Sequence, residues 1–412
     1  MSHIFPRHSR KELPVVARGE GPFLYDTSGK KYFDGSGGAA VSCLGHSDPT
    51  VIAAIKEQVD AVAFAHTSFL TSKPAEHLAD KLIKNAPGNL DRVYLVSGGS
   101  EATESALKLA RQFMVEKGET RRRHVIARRQ SYHGNTLGAL ATGGNVWRRE
   151  PFSPLLMETH HISPCYAYRG QNPNETSFDY GQRVAQELED KILELGPQDV
   201  MAFVAEPVVG ATSGAVPPVE GYFKKIREIC DKYGVLLILD EVMCGMGRTG
   251  SLFAYEQEGI SPDICAVAKG LGAGYQPIGA MLCTSEIYDV IKHGSGFFQH
   301  GHTYNGHPTA AAAALAVATR LIDDDVIARV APLGAKLMDE LRNVFGQHPH
   351  IGDIRGRGLF QGLEIVKDRE TKEPFEPELA VPARLKFAAF EAGLICYPMG
   401  GTIDGKRGGH VL

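Results

Sequence analysis

Val235-Leu236-Leu237-Ile238-Leu239-Asp240-Glu241-Val242 is an unbroken apolar run that stops on two carboxylates. Five aliphatic residues without polar alternation describe a strand buried on both faces, the kind found inside a parallel sheet covered by helices. Similar short runs at 93–96, 124–127, 201–205 and 264–268 each end in a polar or glycine-containing turn. Longer amphipathic segments separate them, and that alternation predicts an α/β fold. Ligands of such sheets sit outside the carboxyl ends of the strands, so the turns after these runs are where chemistry is expected.

The turn after the central run places Asp240 and Val242 two residues apart. If the backbone stays extended they share a side, a carboxylate beside an apolar face, which suits a flat cationic heterocycle. The plainer reading is an Asp that binds turn amides. Twenty-nine positions on, the 264–268 run ends at Lys269, followed by Gly270-Leu271-Gly272. Partial burial there would lower the lysine pKa and free its amine for a Schiff base. The 93–96 run leads into Ser97-Gly98-Gly99-Ser100, and apolar residues at Ala102, Ala106, Leu109, Ala110, Phe113 and Met114 then mark one face of a helix. Glycines before a helix start let a phosphate approach unpaired N–H groups, which makes Gly99 and Ser100 candidate ligands. Ser100 as a simple helix cap is the competing explanation.

Other chemistries lack their signatures. Tyr275 stands where a dinucleotide fingerprint needs its third glycine, and Ser251 where a triphosphate loop needs its lysine. Neither a Gly-x-Ser-x-Gly elbow nor a His-Glu-x-x-His pair occurs. The 412 residues are 43% hydrophobic and 22% charged with a net charge of −4, which argues against nucleic acid or a membrane surface as partner. Seven scattered cysteines show no zinc or redox spacing, and no metal is assigned. The N-terminus has no apolar core for a leader, and the alanine run from Ala310 is too short to span a bilayer, so a cytoplasmic location is expected. Segments 171–177 and 367–377 have the composition of surface loops.

With Lys269, Asp240 and the Gly99-Ser100 turn in hand, the sequence resembles the class III aminotransferases of the fold-type I pyridoxal-phosphate enzymes. The blocks that carry the resemblance are 35–46 (GSGGAAVSCLGH), 97–111 (SGGSEATESALKLAR), 131–136 (SYHGNT), 205–210 (AEPVVG), 239–250 (LDEVMCGMGRTG), 268–272 (AKGLG) and 301–308 (GHTYNGHP). They run in the family's order from about Pro14 onward. The resemblance implies a large domain with a mainly parallel sheet over 48–311, and a smaller α+β domain from 1–47 and 312–412. It implies that Lys269 carries pyridoxal 5'-phosphate and shuttles the proton, with Asp240 keeping the pyridine nitrogen protonated. Gly99 and Ser100 would hold the phosphate, Tyr132 would stack on the ring opposite Val242, His133 would lie close by, and Glu206 would orient the ring or gate the substrate side. Thr303 would reach the phosphate from the other subunit of a homodimer.

Two departures from the family stand out. Ala39-Ala40-Val41 replaces a bulky aromatic, which implies a roomier pocket, and the chain stops at His410-Val411-Leu412, before a Pro-Pro turn and further helices of the small domain. A truncated product is therefore one expectation, and the substrate-carboxylate arginine has to be sought elsewhere, with Arg169 and Arg357 as candidates. The expected activity is amino transfer from an amine or ω-amino acid to a keto acid such as pyruvate or 2-oxoglutarate. An aminomutase, a racemase or a decarboxylating transaminase would use the same residues, and a non-catalytic dimer partner is the reading from another class.

Overall fold

The apolar runs assemble as one sheet. The computed structural model describes residues 3–412, and at its centre are β1 (Leu90–Val96), β2 (His124–Arg128), β3 (His160–Ile162), β4 (Val200–Ala205), β5 (Leu236–Asp240), β6 (Ile264–Val267) and β7 (Gly279–Thr284). Their order across the sheet is β1-β7-β6-β5-β4-β2-β3. Strands β3, β2, β4, β5 and β6 are parallel, whereas β7 runs antiparallel to both of its neighbours.

Alternation along the strands feeds two cores. On β4 and β5, Phe203, Ala205, Leu237 and Leu239 join one apolar cluster, and Ala202, Val204, Leu236 and Ile238 join another on the opposite face. A strand wetted by water on neither side reads as continuous hydrophobicity, which is why 235–239 carried no polar alternation. Helix α1 (Gly99–Glu116) covers the second face, and its expected stripe from Ala102 to Met114 is buried. The first face is closed by helices Ser177–Leu195 and Tyr222–Tyr233, and by Pro308–Asp323 packed on Pro49–Ala61 and Lys73–Lys84.

All five runs anticipated in sequence are strands, with ends shifted by a residue or a few. β3 and β7 were not anticipated. His160-His161-Ile162 is too short and polar to read as a strand, and the single antiparallel strand β7 leaves the sheet mainly parallel, as expected. The expected domain boundary between 311 and 312 falls inside the helix Pro308–Asp323, which is buried along most of its length.

Two smaller sheets flank the centre. Strands Val16–Glu20, Phe23–Asp26 and Lys31–Asp34 form an antiparallel ribbon, to which Leu394–Ile395 adds a parallel edge. Strands Ile351–Arg357, Phe360–Ile365, Gly409–Val411 and Pro398–Gly400 pair antiparallel in that order. The buried Glu364 of this sheet accepts from Arg355 at 2.7 Å and from Arg169 Nη2 at 2.7 Å, tying it to the segment after β3.

Phe203 is fully buried in the middle of β4, so Phe203→Ala should lower unfolding free energy by about 3–5 kcal/mol in a urea titration. A loss under 1 kcal/mol would contradict the placement of this face in the core.

Candidate active site

The carboxyl ends of β4, β5 and β6, with the turn after β1, open on a cavity of about 520 Å³. Eight of the residues singled out in sequence line it: Gly99, Ser100, Tyr132, His133, Glu206, Asp240, Val242 and Lys269. Thr303 does not. It is exposed in a turn before the helix that starts at Pro308, and His307, not Thr303, is that helix's cap.

Asp240 is 4% exposed at the end of β5, and both of its oxygens are occupied. Oδ2 lies 2.8 Å from His133 Nδ1, and Oδ1 accepts from the Val242 amide at 3.0 Å. The backbone therefore turns after Asp240, and Val242 reaches the cavity through this turn, not by continuing the pleat. The amide-binding explanation for Asp240 is true of one oxygen only. His133 is buried, and its Nε2 has no hydrogen-bond partner.

Glu206 follows β4 and is 3% exposed. Its Oε1 accepts from the Tyr132 amide at 3.1 Å and its Oε2 from the Gly210 amide at 2.8 Å. Burial raises its pKa, partly offset by His133. The side chain thus braces the segment that carries Tyr132. Tyr132 and Val242 are half-buried and line the cavity, Val242 also packing on the cluster of Val96, Ala102 and Ala266.

Lys269 takes a left-handed backbone, φ +46, directly after β6. Such a conformation is uncommon outside glycine and concentrates at functional sites. Removal from water pulls its pKa down to about 8, against the opposing attraction of Asp240. An amine in that range is partly unprotonated near neutral pH and free to attack a carbonyl.

The turn after β1 is built for close approach. Helix α1 is capped by Gly98 with no side-chain hydrogen bond, which leaves its first amides facing the cavity. Ser100 is thus the second helical residue, not the cap, and its Oγ accepts from the Asn135 amide at 3.0 Å. A side chain on the surrounding glycines would collide: a Cβ on Gly279 would sit 2.6 Å from the Gly98 carbonyl oxygen, and one on Gly134, at φ +132, 2.7 Å from Ser100 Oγ.

Several lining residues carry no sequence signature. Arg148, Gln276, Ala211 and Tyr397 arrive on loops far apart in the chain. Arg169 and Arg357, the arginines proposed from sequence, face elsewhere: Arg169 is paired with Glu364, and Arg357 with Glu258 at 2.7 Å. Ala39 and Val41 do line the cavity, where small residues leave room. One potential metal cluster, His124, Glu158 and His160 with ligand atoms within 4.8 Å of one another, lies at the opposite, amino-terminal ends of β2 and β3.

The aminotransferase class-III profile matches residues 4–404. The chain belongs to the class III aminotransferases. An uncharacterised aminotransferase of Schizosaccharomyces pombe is 47% identical over 412 residues, covering 100% of this chain and 90% of its own. Among solved structures, an (S)-enantioselective ω-transaminase from Thermomicrobium roseum superposes with a TM-score of 0.92 at 38% identity, over 96% of this chain and 89% of that one. The ω-transaminase of Pseudomonas jessenii in complex with PMP gives 0.92 at 31% identity, over 99% and 90%. The family implies pyridoxal phosphate as cofactor. This aminotransferase has what that group needs: open helix amides for a phosphate, a buried carboxylate for a ring nitrogen, and a desolvated lysine for an aldehyde.

In the cofactor-free protein, labelling of Lys269 by trinitrobenzenesulfonate should reach half its maximal rate near pH 8, against about 10.4 for surface lysines. The lowered pKa also sets a sign for stability. Because the unfolded chain binds more protons between pH 8 and 10.5, stability should rise with pH across that window. Lys269→Met should remove that rise in denaturant titrations, and an unchanged slope would contradict burial of the amine.

Proposed function

We propose that this aminotransferase moves an amino group from an amine or ω-amino acid to a keto acid such as pyruvate or 2-oxoglutarate, with Lys269 as covalent anchor and proton carrier. The observation that carries this reading is the convergence of Lys269, Asp240 and the open amides at Gly99 on one cavity. Pyridoxal phosphate, when bound, supplies an aldehyde that takes up amines and a protonated ring that accepts an electron pair.

The chain's own residues have distinct tasks in this proposal. Asp240, fixed by His133, presents its carboxylate to the pyridine nitrogen and holds a proton there. Gly99 and Ser100 bind the phosphate through the amides of α1. Val242 and Tyr132 confine the ring from its two faces, Tyr132 being steadied by Glu206 through its amide. Lys269 would hold the cofactor's aldehyde and, when its amine is free, would take a proton from the substrate carbon and give it back. Its pKa of about 8 keeps both protonation states accessible near neutrality.

We further propose a homodimer in which Thr303 of the partner subunit reaches the phosphate. Exposed Phe69, Leu70 and Tyr304 near Thr303, with Tyr304 in contact with Phe64, form an apolar surface that suits such an interface. The large domain in this proposal runs from 48 to the end of the helix at Asp323, and the small domain combines 1–47 with the remainder through the pairing of Leu394–Ile395 with Lys31–Asp34. A cytoplasmic location fits seven free cysteines. Among the described residues no helix is long and apolar enough to cross a membrane.

Borohydride reduction of the holoenzyme should fix the cofactor on the peptide containing Lys269, detectable by mass. Label on another lysine would overturn the assignment. Lys269→Ala should lose amino transfer by at least about 1,000-fold, and Asp240→Asn by about 100-fold. The pyridoxamine-loaded protein mixed with pyruvate should yield alanine stoichiometrically. Turnover of an amino acid without any keto acid would instead favour an aminomutase or racemase.

A further inference from the structure

His160 and His161 are adjacent in β3 yet serve opposite faces of the sheet, because successive side chains of an extended segment point to opposite sides. Thr159 and His161 turn toward the helix Leu137–Thr142. Thr159 Oγ1 donates to the Ala141 carbonyl at 2.5 Å, and His161 Nε2 lies 2.9 Å from the Thr142 carbonyl oxygen. Glu158 and His160 are left for the other face, where His160 meets His124, the first residue of β2. His160 Nε2 lies 3.2 Å from His124 Nδ1, with the ring planes at 68°. Further along the same two strands, Ile126 and Ile162 join the core cluster that includes Val184, Leu188 and Ile192 of the helix Ser177–Leu195. At the amino-terminal ends of the strands that apolar cover gives way to the polar group.

Glu158 completes it. One carboxylate oxygen and one nitrogen from each ring all lie within 4.8 Å of one another, and among the described residues no other three His, Cys, Asp or Glu side chains converge in this way. Two nitrogens bound to one ion at about 2.0–2.1 Å with a tetrahedral angle stand roughly 3.3–3.4 Å apart. The histidine pair therefore already has the spacing of a chelate. Both rings are half-buried, so packing orients them, and Glu158 is exposed, so an ion can arrive from solvent. Nearby charges are committed elsewhere: Lys191, close to His160, is held by Glu194 at 2.5 Å, and Asp199, close to His124, by Arg121 at 2.8 Å. Two imidazoles with one carboxylate suit zinc, cobalt, nickel or copper, whereas magnesium and calcium prefer oxygen alone.

We propose that His124, His160 and Glu158 form a binding site for one divalent transition-metal ion of the zinc class, remote from the cofactor cavity and independent of amino transfer. Both rings bind while neutral. The proton shared between them moves to the outer nitrogen of its own ring, and water fills the fourth position. The ion acts as a clamp on the edge of the sheet. β3 has a single neighbour, β2, and pairs with it over only three residues. Metal bonds fasten the start of one strand to the start of the other, in an arrangement that only the folded chain offers.

Co2+ added to holoenzyme freed of metal with EDTA should bind once per chain, with the visible d–d bands of nitrogen and oxygen ligation. His124→Gln and His160→Gln should each weaken uptake at least about tenfold, and Glu158→Gln about threefold or more. Glu158 is exposed, so its variant keeps the test decisive even where a histidine variant fails to fold. A thiolate charge-transfer band, which marks a cysteine site, or uptake that none of the three variants weakens, overturns the proposal. Excess zinc should raise the thermal midpoint of the wild type and leave that of the doubly substituted His124→Gln, His160→Gln protein unchanged. A midpoint that stays put in the wild type, or rises equally in both, overturns the clamp. None of these readouts involves amino transfer.

Discussion

Everything at this site depends on keeping charged groups out of water at the ends of parallel strands. His133 and a backbone amide hold the two oxygens of the buried Asp240, and the same dry environment draws the amine of Lys269 toward its neutral form. At the lysine the two effects oppose each other, and burial outweighs the attraction of Asp240. A carboxylate that stays put gives a fixed negative pole, and a lysine that sheds its proton easily becomes a nucleophile beside it. Neither property belongs to the residue type alone. Both come from burial, which the sheet provides by covering its two faces with helices.

The glycines around α1 answer a different constraint, that of distance. Gly134 and Gly279 let β7, the turn after β1 and the Tyr132 segment close on one another without side chains between them. An anion brought to the α1 amides is thereby surrounded by backbone, whose dipoles are already oriented before it arrives. Membership in the class III aminotransferases implies pyridoxal phosphate as cofactor, and in this chain a Cβ on Gly279 would meet the Gly98 carbonyl oxygen at 2.6 Å.

Sequence alone made the sheet legible where strands are wholly apolar, as in β4 to β6, because these short runs are bounded by polar or glycine-containing turns, whereas the longer alanine-rich run from Ala310 is a helix. It failed for β3, whose two histidines disguise a strand end, and for the antiparallel direction of β7, which no local pattern encodes. The cavity residues on strand ends could be read because strand ends are predictable. Arg148 could not, because it arrives on a four-residue helix without periodicity. Arg169 misled for a related reason: its partner Glu364 lies 195 residues away, and no spacing rule connects them. Thr303 remains exposed within a single chain, where the sequence resemblance assigned it to a neighbour.

The ribbon near the start of the chain carries a consequence for synthesis. Its edge strand Lys31–Asp34 is completed only by Leu394–Ile395, which pairs with it in parallel. A ribosome delivers those two residues some 360 residues later, and at a typical elongation rate the gap is on the order of half a minute. During that interval the early strand has an open row of backbone donors and acceptors and no native neighbour to take them. The central sheet, by contrast, draws all its strands from within one stretch of chain and can collapse before that. Chain order therefore makes every strand of the central sheet available before the last strand of the ribbon is made.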